Sequence, residues 1–281
     1  MVIVRANTIL EAVDYLAKGY RPAAGFTNIY VNQKKGKISE DAKFVDVSGI
    51  QSLREIKEFD STLCIGGGAV MQDIADYLMY DYTGEFAALG MAAASVGGPQ
   101  TRNRATIAGN IADGSPSADT VPALIALGAK IELISIRGLR VVDASDFFTG
   151  YRQNVMAEDE MINSILLYRR GGKSVFHKVG KRSALAIGVA ATAVRMLEKD
   201  GVISEIGIAM SSVGPTAMRL SSAEKLLLGE KASLELFEEA AKTVAQDIAP
   251  IDDIRATAEY RKTVAENLLI TCLKDVTEAK I

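Results

Sequence analysis

Residues 95–127 constrain this chain more than any other stretch: SVGGPQTRNRATIAGNIADGSPSADTVPALIAL. Gly97, Gly98, Gly109 and Gly114 stand among Ser, Thr, Asn and Asp, and an apolar run of helical character follows. Glycines let a backbone approach a ligand closely, and small hydroxyl and amide side chains leave N–H groups open around it. A helix that starts just beyond adds the positive end of its dipole. Such a segment suits the pyrophosphate of a nucleotide.

Reactive groups of the chain's own are harder to find. Its 281 residues hold two cysteines, Cys64 and Cys272, and one histidine, His177. Structural zinc and iron–sulfur sites need three or four such ligands, which this chain does not supply alone. Neither cysteine lies in a recognisable nucleophile motif. Cys64, in the apolar run 63–65, reads as a buried strand residue, and His177 as an ordinary strand residue. A bound cofactor or a partner subunit would have to bring the reactive group. The net charge of −3 lacks the basic footprint of a nucleic-acid binder. Residues 1–5 lack the layout of a signal peptide, and no apolar stretch is long enough to cross a bilayer. Both point to a cytoplasmic protein. With 48% hydrophobic residues, the chain has core material for one large domain or two.

Local signals place the elements. Thr8 and Glu11 form a capping box ahead of Leu10, Val13, Leu16 and Ala17 at helical spacing, and Gly19 ends that helix. Residues 22–24 read as a strand running into a tight turn at 25–28, rich in backbone donors. Strands are predicted at 43–47, 62–65 and 161–167, and a hairpin over 130–143 turns on Arg137 and Gly138. Gly66, Gly67 and Gly68 lack the Lys-Ser/Thr of a P-loop and read as a flexible turn before a helix near Met71. Residues 86–95 read as helix. Gly171 and Gly172 mark a boundary between domains of 1–172 and 173–281. Beyond it, three antiparallel strands at 174–179, 187–197 and 202–210 precede helices at 233–248 and 257–274. That is an α+β arrangement with helices over one sheet face.

Two loops carry a resemblance. Ala24-Gly25-Phe26-Thr27-Asn28-Ile29 is similar to an Ala-Gly-Gly-Thr-Asp/Glu-Leu loop, and Thr106-Ile107-Ala108-Gly109-Asn110 to a Thr-Ile-Gly-Gly-Asn loop. Ser115-Pro116-Ser117-Ala118-Asp119 matches the Ser-Pro-x-x-Asp element that follows the second. These are the flavin loops of the FAD-binding medium subunits of molybdenum hydroxylases, the xanthine dehydrogenase and carbon monoxide dehydrogenase relatives. Residues 99–103, 178–182 and 213–219 fit the same family, so the resemblance covers essentially the whole chain. It implies an FAD-binding domain of the vanillyl-alcohol-oxidase/PCMH type, followed by a C-terminal domain with a three-stranded antiparallel sheet and helices. The chain departs from the pattern at Phe26 and Ala108, where relatives have Gly, and at Asn28, where they have an acid.

The resemblance also implies roles. Gly25, Phe26 and Thr27, flanked by Ala24 and Asn28, would offer N–H groups to one phosphate of FAD, given a negative φ at Phe26. Thr106, Ile107, Gly109 and Asn110 would hold the other side, with the Thr106 hydroxyl as an added donor. Asp119 would accept from a ribose hydroxyl. Ile29 and Ile162 would line the isoalloxazine ring, and Lys178 would stabilise negative charge on it. Plainer readings stand beside three of these: Asp119 as a charge at a helix N-terminus, Lys178 as a solvated strand residue, Ile162 as core. The implied function is an electron relay. FAD would take electrons from the 2Fe–2S clusters of a small subunit, fed by a molybdopterin-binding large subunit, and pass them to NAD or another acceptor. Two alternatives stand: a free-standing FAD-dependent oxidoreductase of the same fold, and a flavin-free assembly subunit, the latter motivated by Phe26 and Ala108.

Overall fold

The computed structural model of the protein describes residues 1–79, 84–182 and 185–277. The chain opens on a small parallel sheet in which β1 (Val2–Arg5) and β2 (Arg21–Ala23) flank β3 (Lys43–Asp46). Helices α1 (Ile9–Ala17) and α2 (Thr27–Lys34) make the crossovers. Thr8 caps α1 as expected, its Oγ1 accepting from Glu11 N at 3.1 Å. The Glu11 carboxylate reaches one residue further back than a capping box requires, to the N–H of Asn7 at 2.7 Å. Ala12, Val13 and Leu16 of α1 pack on Val45 and Val47. Helix α2 buries no residue, so its place in the fold is set by its ends.

A five-stranded antiparallel sheet follows. Its strands are β4 (Ile56–Phe59), β5 (Thr62–Gly66), β6 (Lys130–Ser135), β7 (Gly138–Asp143) and β10 (Met161–Tyr168), in the order β4-β5-β10-β6-β7. The hairpin joining β6 to β7 sets Ser135 opposite Gly138. Its turn is therefore Ile136 and Arg137, one residue earlier than expected. A short hairpin of β8 (Phe148–Gly150) and β9 (Gln153–Asn154) precedes β10. Cys64 lies half-buried on β5. Burial pushes its thiol pKa up.

Among the described residues, five helices run between β5 and β6: α3 (Met71–Met79), α4 (Ala87–Ala94), α5 (Pro99–Arg102), α6 (Ile107–Ala112) and α7 (Thr120–Ala126). The glycine-rich segment is thus not one open loop; α5 and α6 interrupt it. Gly66–Gly68 also departs from the flexible turn expected there. Gly67 N donates to Asn163 O at 2.8 Å and Gly68 N to Leu53 O at 2.7 Å. A Cβ on Gly67 would overlap the Ile162 carbonyl oxygen. These glycines permit close backbone packing.

The remaining residues form β11 (Lys173–Gly180), β12 (Gly188–Lys199), β13 (Val202–Ser211) and β14 (Met218–Arg219), then α8 (Ser221–Leu227), α9 (Leu234–Asp247) and α10 (Ala258–Val276). The three expected strands are present, and two-residue β14 adds a fourth at the β13 edge. Asp200 and Gly201, both at positive φ, make the tight β12–β13 turn. Ser233 and Thr257 cap α9 and α10, their hydroxyls accepting from Leu236 N and Tyr260 N, each at 3.2 Å. One sheet face, with Val194, Met196, Ile208 and Met210, packs against Phe237, Leu269 and Cys272 of these helices. The other face is covered too, contrary to the one-sided expectation. Phe176, Ala191, Ala193 and Ala209 share a core with Leu89 of α4 and Leu124 of α7. Alanines on that face allow the close approach.

A buried arginine ties the end of this region together. Arg261 of α10 is 3% exposed. Its Nη1 donates to Val189 O (2.6 Å) and Ser212 O (3.0 Å), and its Nη2 to Asp253 Oδ1 (2.7 Å). Burial pushes the Asp253 carboxyl up. The N–H groups of Arg255 and Ala256 and the Arg255 and Arg261 side chains overcome that and pull it from an ordinary 3.8 down to about 2. A lowered acid pKa contributes stability that is present above the ordinary value and lost as pH falls through the folded one. Asp253→Asn should lower the unfolding free energy from a urea titration at pH 7 by about 1.5 kcal/mol, one charge-assisted hydrogen bond. The gap to wild type should close as the titration is repeated toward pH 2.

Candidate functional site

The site grows from the end of β2. After Ala23 the chain turns through Ala24 and Gly25 to Phe26, which is the N-cap of α2 at φ 58° and ψ 2°. The condition of a negative φ is therefore not met. Phe26 takes the left-handed conformation that Gly would take freely, at about 1 kcal/mol of strain. The backbone keeps the shape of a glycine loop despite the side chain. The first intrahelical bond runs from Tyr30 N to Phe26 O at 2.9 Å. Thr27, Asn28 and Ile29 precede it, so their N–H groups have no acceptor within the helix and carry its positive dipole end.

Gly25 sets what faces this helix end. A Cβ there would overlap the carbonyl oxygen of Arg104, so the first loop is pressed backbone to backbone against the segment leading into the second. Two residues on, Thr106 caps α6, its Oγ1 accepting from Gly109 N at 3.1 Å. The hydroxyl keeps its own hydrogen for another acceptor. The backbone of this loop is otherwise engaged. Ile107 N donates to Ala69 O (3.0 Å), Ala108 N to Gly67 O (3.1 Å) and Asn110 N to Thr106 O (3.0 Å). The second loop presents a hydroxyl and a tight surface, not the row of N–H donors expected of Gly109 and Asn110. The Asn110 side chain is also held, accepting from Thr120 Oγ1 at 2.6 Å.

Between the loops lies a cleft of about 730 Å³, within the ~300–1,000 Å³ of small-ligand sites. Ala24, Gly25, Phe26, Thr27, Asn28, Ile29, Thr106, Gly109, Asn110 and Ile162 all line it, as do Gly67, Ala108 and Arg152. Three expected residues are elsewhere. Ile107 is fully buried in the core beneath, with its N–H occupied. Asp119 and Lys178 do not line the cleft; they pair with each other, Lys178 Nζ to Asp119 Oδ2 at 2.6 Å. Asp119 starts α7 but makes no capping bond, and its Oδ1 is buried without a partner. Burial pushes its carboxyl up, against the opposing pull of the Lys178 ammonium. Lys178, only 12% exposed, is not a solvated strand residue, and its ammonium also donates to Ser95 O at 3.3 Å. His177 pairs with Asp275 at 2.6 Å, away from the cleft.

Comparison with known proteins gives this geometry a family. Residues 1–167 match the FAD binding domain in molybdopterin dehydrogenase, and residues 175–276 match the CO dehydrogenase flavoprotein C-terminal domain. The chain belongs to the FAD-binding medium subunits of the xanthine dehydrogenase and carbon monoxide dehydrogenase family. The xanthine dehydrogenase FAD-binding subunit of Escherichia coli O157:H7 is 30% identical over 264 residues, 92% of this chain and 89% of that protein. The carbon monoxide dehydrogenase medium chain of Hydrogenophaga pseudoflava is 30% identical over 237 residues, 84% and 82% of the two chains. A solved structure of carbon monoxide dehydrogenase from the same organism superimposes with a TM-score of 0.91 at 29% identity, over 98% of this chain and 96% of that one.

The family's cofactor is FAD, and the cleft fits it. The open first turn of α2 and the Thr106 hydroxyl are donors suited to a diphosphate. Ile29 and Ile162 give apolar walls suited to a ring system. Gly109 lines the cleft at a point where folding leaves room for a side chain. A Cβ there meets only Thr106 Oγ1, at 3.1 Å, and otherwise enters open space. Gly109→Val should leave the chain folded, with a thermal midpoint within a few degrees of wild type, and should abolish FAD uptake in a fluorescence titration.

Proposed function

We propose that this chain is the FAD-carrying electron-transfer subunit of a heteromeric molybdenum hydroxylase. In this reading a 2Fe–2S small subunit and a molybdopterin-binding large subunit are its partners, NAD or another acceptor takes the electrons, and the complex works in the cytoplasm. The observation that carries it is the cradle: the free donor end of α2 faces the Thr106 hydroxyl across a seam closed by Gly25. Among the described residues, no helix is long and apolar enough to cross a membrane.

Bound FAD supplies the conversion between single-electron delivery and two-electron release. The chain's residues would bind and orient it. Gly25, Phe26, Thr27 and Asn28 would meet one phosphate with backbone N–H groups, and Thr106 the other with its hydroxyl. Gly109 and Ala24 would keep the space clear, while Ile29 and Ile162 would pack the ring system and exclude water from its faces. The buried pair of Asp119 and Lys178 lies beyond the cleft lining and would act on the ring's electrostatics from behind that wall. The cradle is held within residues 1–172, and residues 173–281 form the second domain of the proposed division. The left-handed Phe26 speaks against a flavin-free subunit, since the loop retains the conformation a glycine would give it.

Adding FAD to the purified full chain should give a yellow protein with bound-flavin absorption bands at one FAD per chain. Expressed with its neighbouring reading frames, it should co-purify with iron–sulfur and molybdenum-containing subunits. A folded chain that stays colourless in excess FAD would contradict the proposal. Turnover of a small substrate by the isolated chain would favour the free-standing oxidoreductase instead.

A further inference from the structure

Arg152 stands at the cleft with no sequence motif to mark it. Its φ is +54°, a conformation that a non-glycine residue keeps only when its surroundings hold it there. Those surroundings are specific. The Arg152 N–H donates to Gly114 O at 3.2 Å. Gly114, at φ +61°, lies so close that a Cβ on it would stand 3.0 Å from Arg152 Cα. From this fixed point Arg152 Nη1 donates to Asp113 Oδ1 at 2.9 Å. The same oxygen accepts from Asn28 Nδ2. Asp113 caps the C-terminus of α6, and Asn28 sits in the first turn of α2. A chain of hydrogen bonds thus ties a guanidinium to both loops at once.

The chemistry of the cleft gives this arrangement a use. An FAD diphosphate carries two negative charges, and the cradle described above meets them with neutral N–H groups and one hydroxyl. Asp113 engages one donor of a five-donor planar fork, and that fork matches phosphate oxygens in pairs. Arg21 and Lys37 are the other cations on the wall; Arg21 is stacked 4.6 Å over the Phe44 ring, whereas Arg152 reaches residues of both loops through Asp113. The arrangement also accounts for Asn28 where the family pattern has an acid. A carboxylate at 28 would face the Asp113 carboxylate, whereas the amide donates to it.

We propose that Arg152 is a cofactor-binding residue that supplies the cationic donor to the FAD diphosphate, with Asp113 and Asn28 as its positioning residues. This assignment rests on the FAD reading above. The test is an FAD titration of the full chain, stripped of flavin, at low and at physiological salt, with the thermal midpoint of each apo-variant as the folding control. Arg152→Gln should weaken FAD at least tenfold at low salt and flatten the fall of affinity with salt, because a screened charge has been removed. Arg152→Lys should recover part of the loss. Asn28→Asp should weaken FAD similarly, and the exchange Asn28→Asp with Asp113→Asn should recover it by swapping donor and acceptor. A merely structural Arg152 would leave the salt dependence unchanged and gain nothing from Lys. Wild-type uptake of FAD with Arg152→Gln within twofold of it, or with an unchanged salt slope, overturns this assignment alone. A wild-type chain that takes up no FAD overturns it together with the reading it rests on.

Discussion

The site depends on one steric fact: the backbone at Gly25 touches the carbonyl of Arg104, and no side chain fits between. That contact brings the donor end of α2, on the small parallel sheet, against a segment that belongs to the larger antiparallel one. The second segment is not free to yield. Met71 N donates to Ala105 O at 2.9 Å, Ala105 N donates to Thr101 O at 2.7 Å, and Val70 bridges Thr106. Gly67 completes the anchorage, accepting from Ala108 N while donating to Asn163 O on β10. The cradle is therefore preorganised by the two sheets, which lowers the ordering that a ligand would have to impose.

The C-terminal sheet braces the same construction. Its alanine-lined face receives α4 and α7, and a Cβ on Gly207 of β13 would overlap the Ala126 carbonyl oxygen at the end of α7. Ser212 N donates to Pro116 O at 2.8 Å, just before α7 begins. Asp119 and Lys178 form an ion pair across this junction, 10% and 12% exposed. Burying two charges is unfavourable unless they are matched, and here they are matched to each other. The junction ties the position of the second loop to the packing of the C-terminal sheet.

Much of this was legible in the sequence where the determinants are local. Thr8 announced its helix because a capping hydroxyl acts within three residues. The sequence Asp200-Gly201 suits the β12–β13 hairpin because its turn requires positive φ. The two loops were legible as a pair through resemblance to a family, and ten of the named positions do line the cleft. What was missed is non-local. Helices α5 and α6 are too short to show periodicity and are held by bonds to residues 67–71 and 98–101. Gly66–Gly68 read as flexible because nothing in the run itself shows that Leu53 and Ile162 press against it. Arg152 and Asp113 are 39 residues apart, and Lys178 and Asp119 are 59 apart, so no spacing rule could pair them. The negative φ on which the loop reading was conditioned is absent at Phe26 because the αL position is set by the helix it starts, not by its own preference.

The central claim is that a diphosphate sits between the first turn of α2 and Thr106. Amide hydrogen exchange of the full chain, with and without saturating FAD, tests it most directly, because it reads backbone N–H groups one segment at a time. The account predicts strong FAD-dependent protection over residues 26–29, which have no acceptor within their helix. It predicts little change at Ile107, Ala108 and Asn110, whose N–H groups are already bonded. Saturating FAD that leaves residues 26–29 exchanging as in the apo-chain would contradict it.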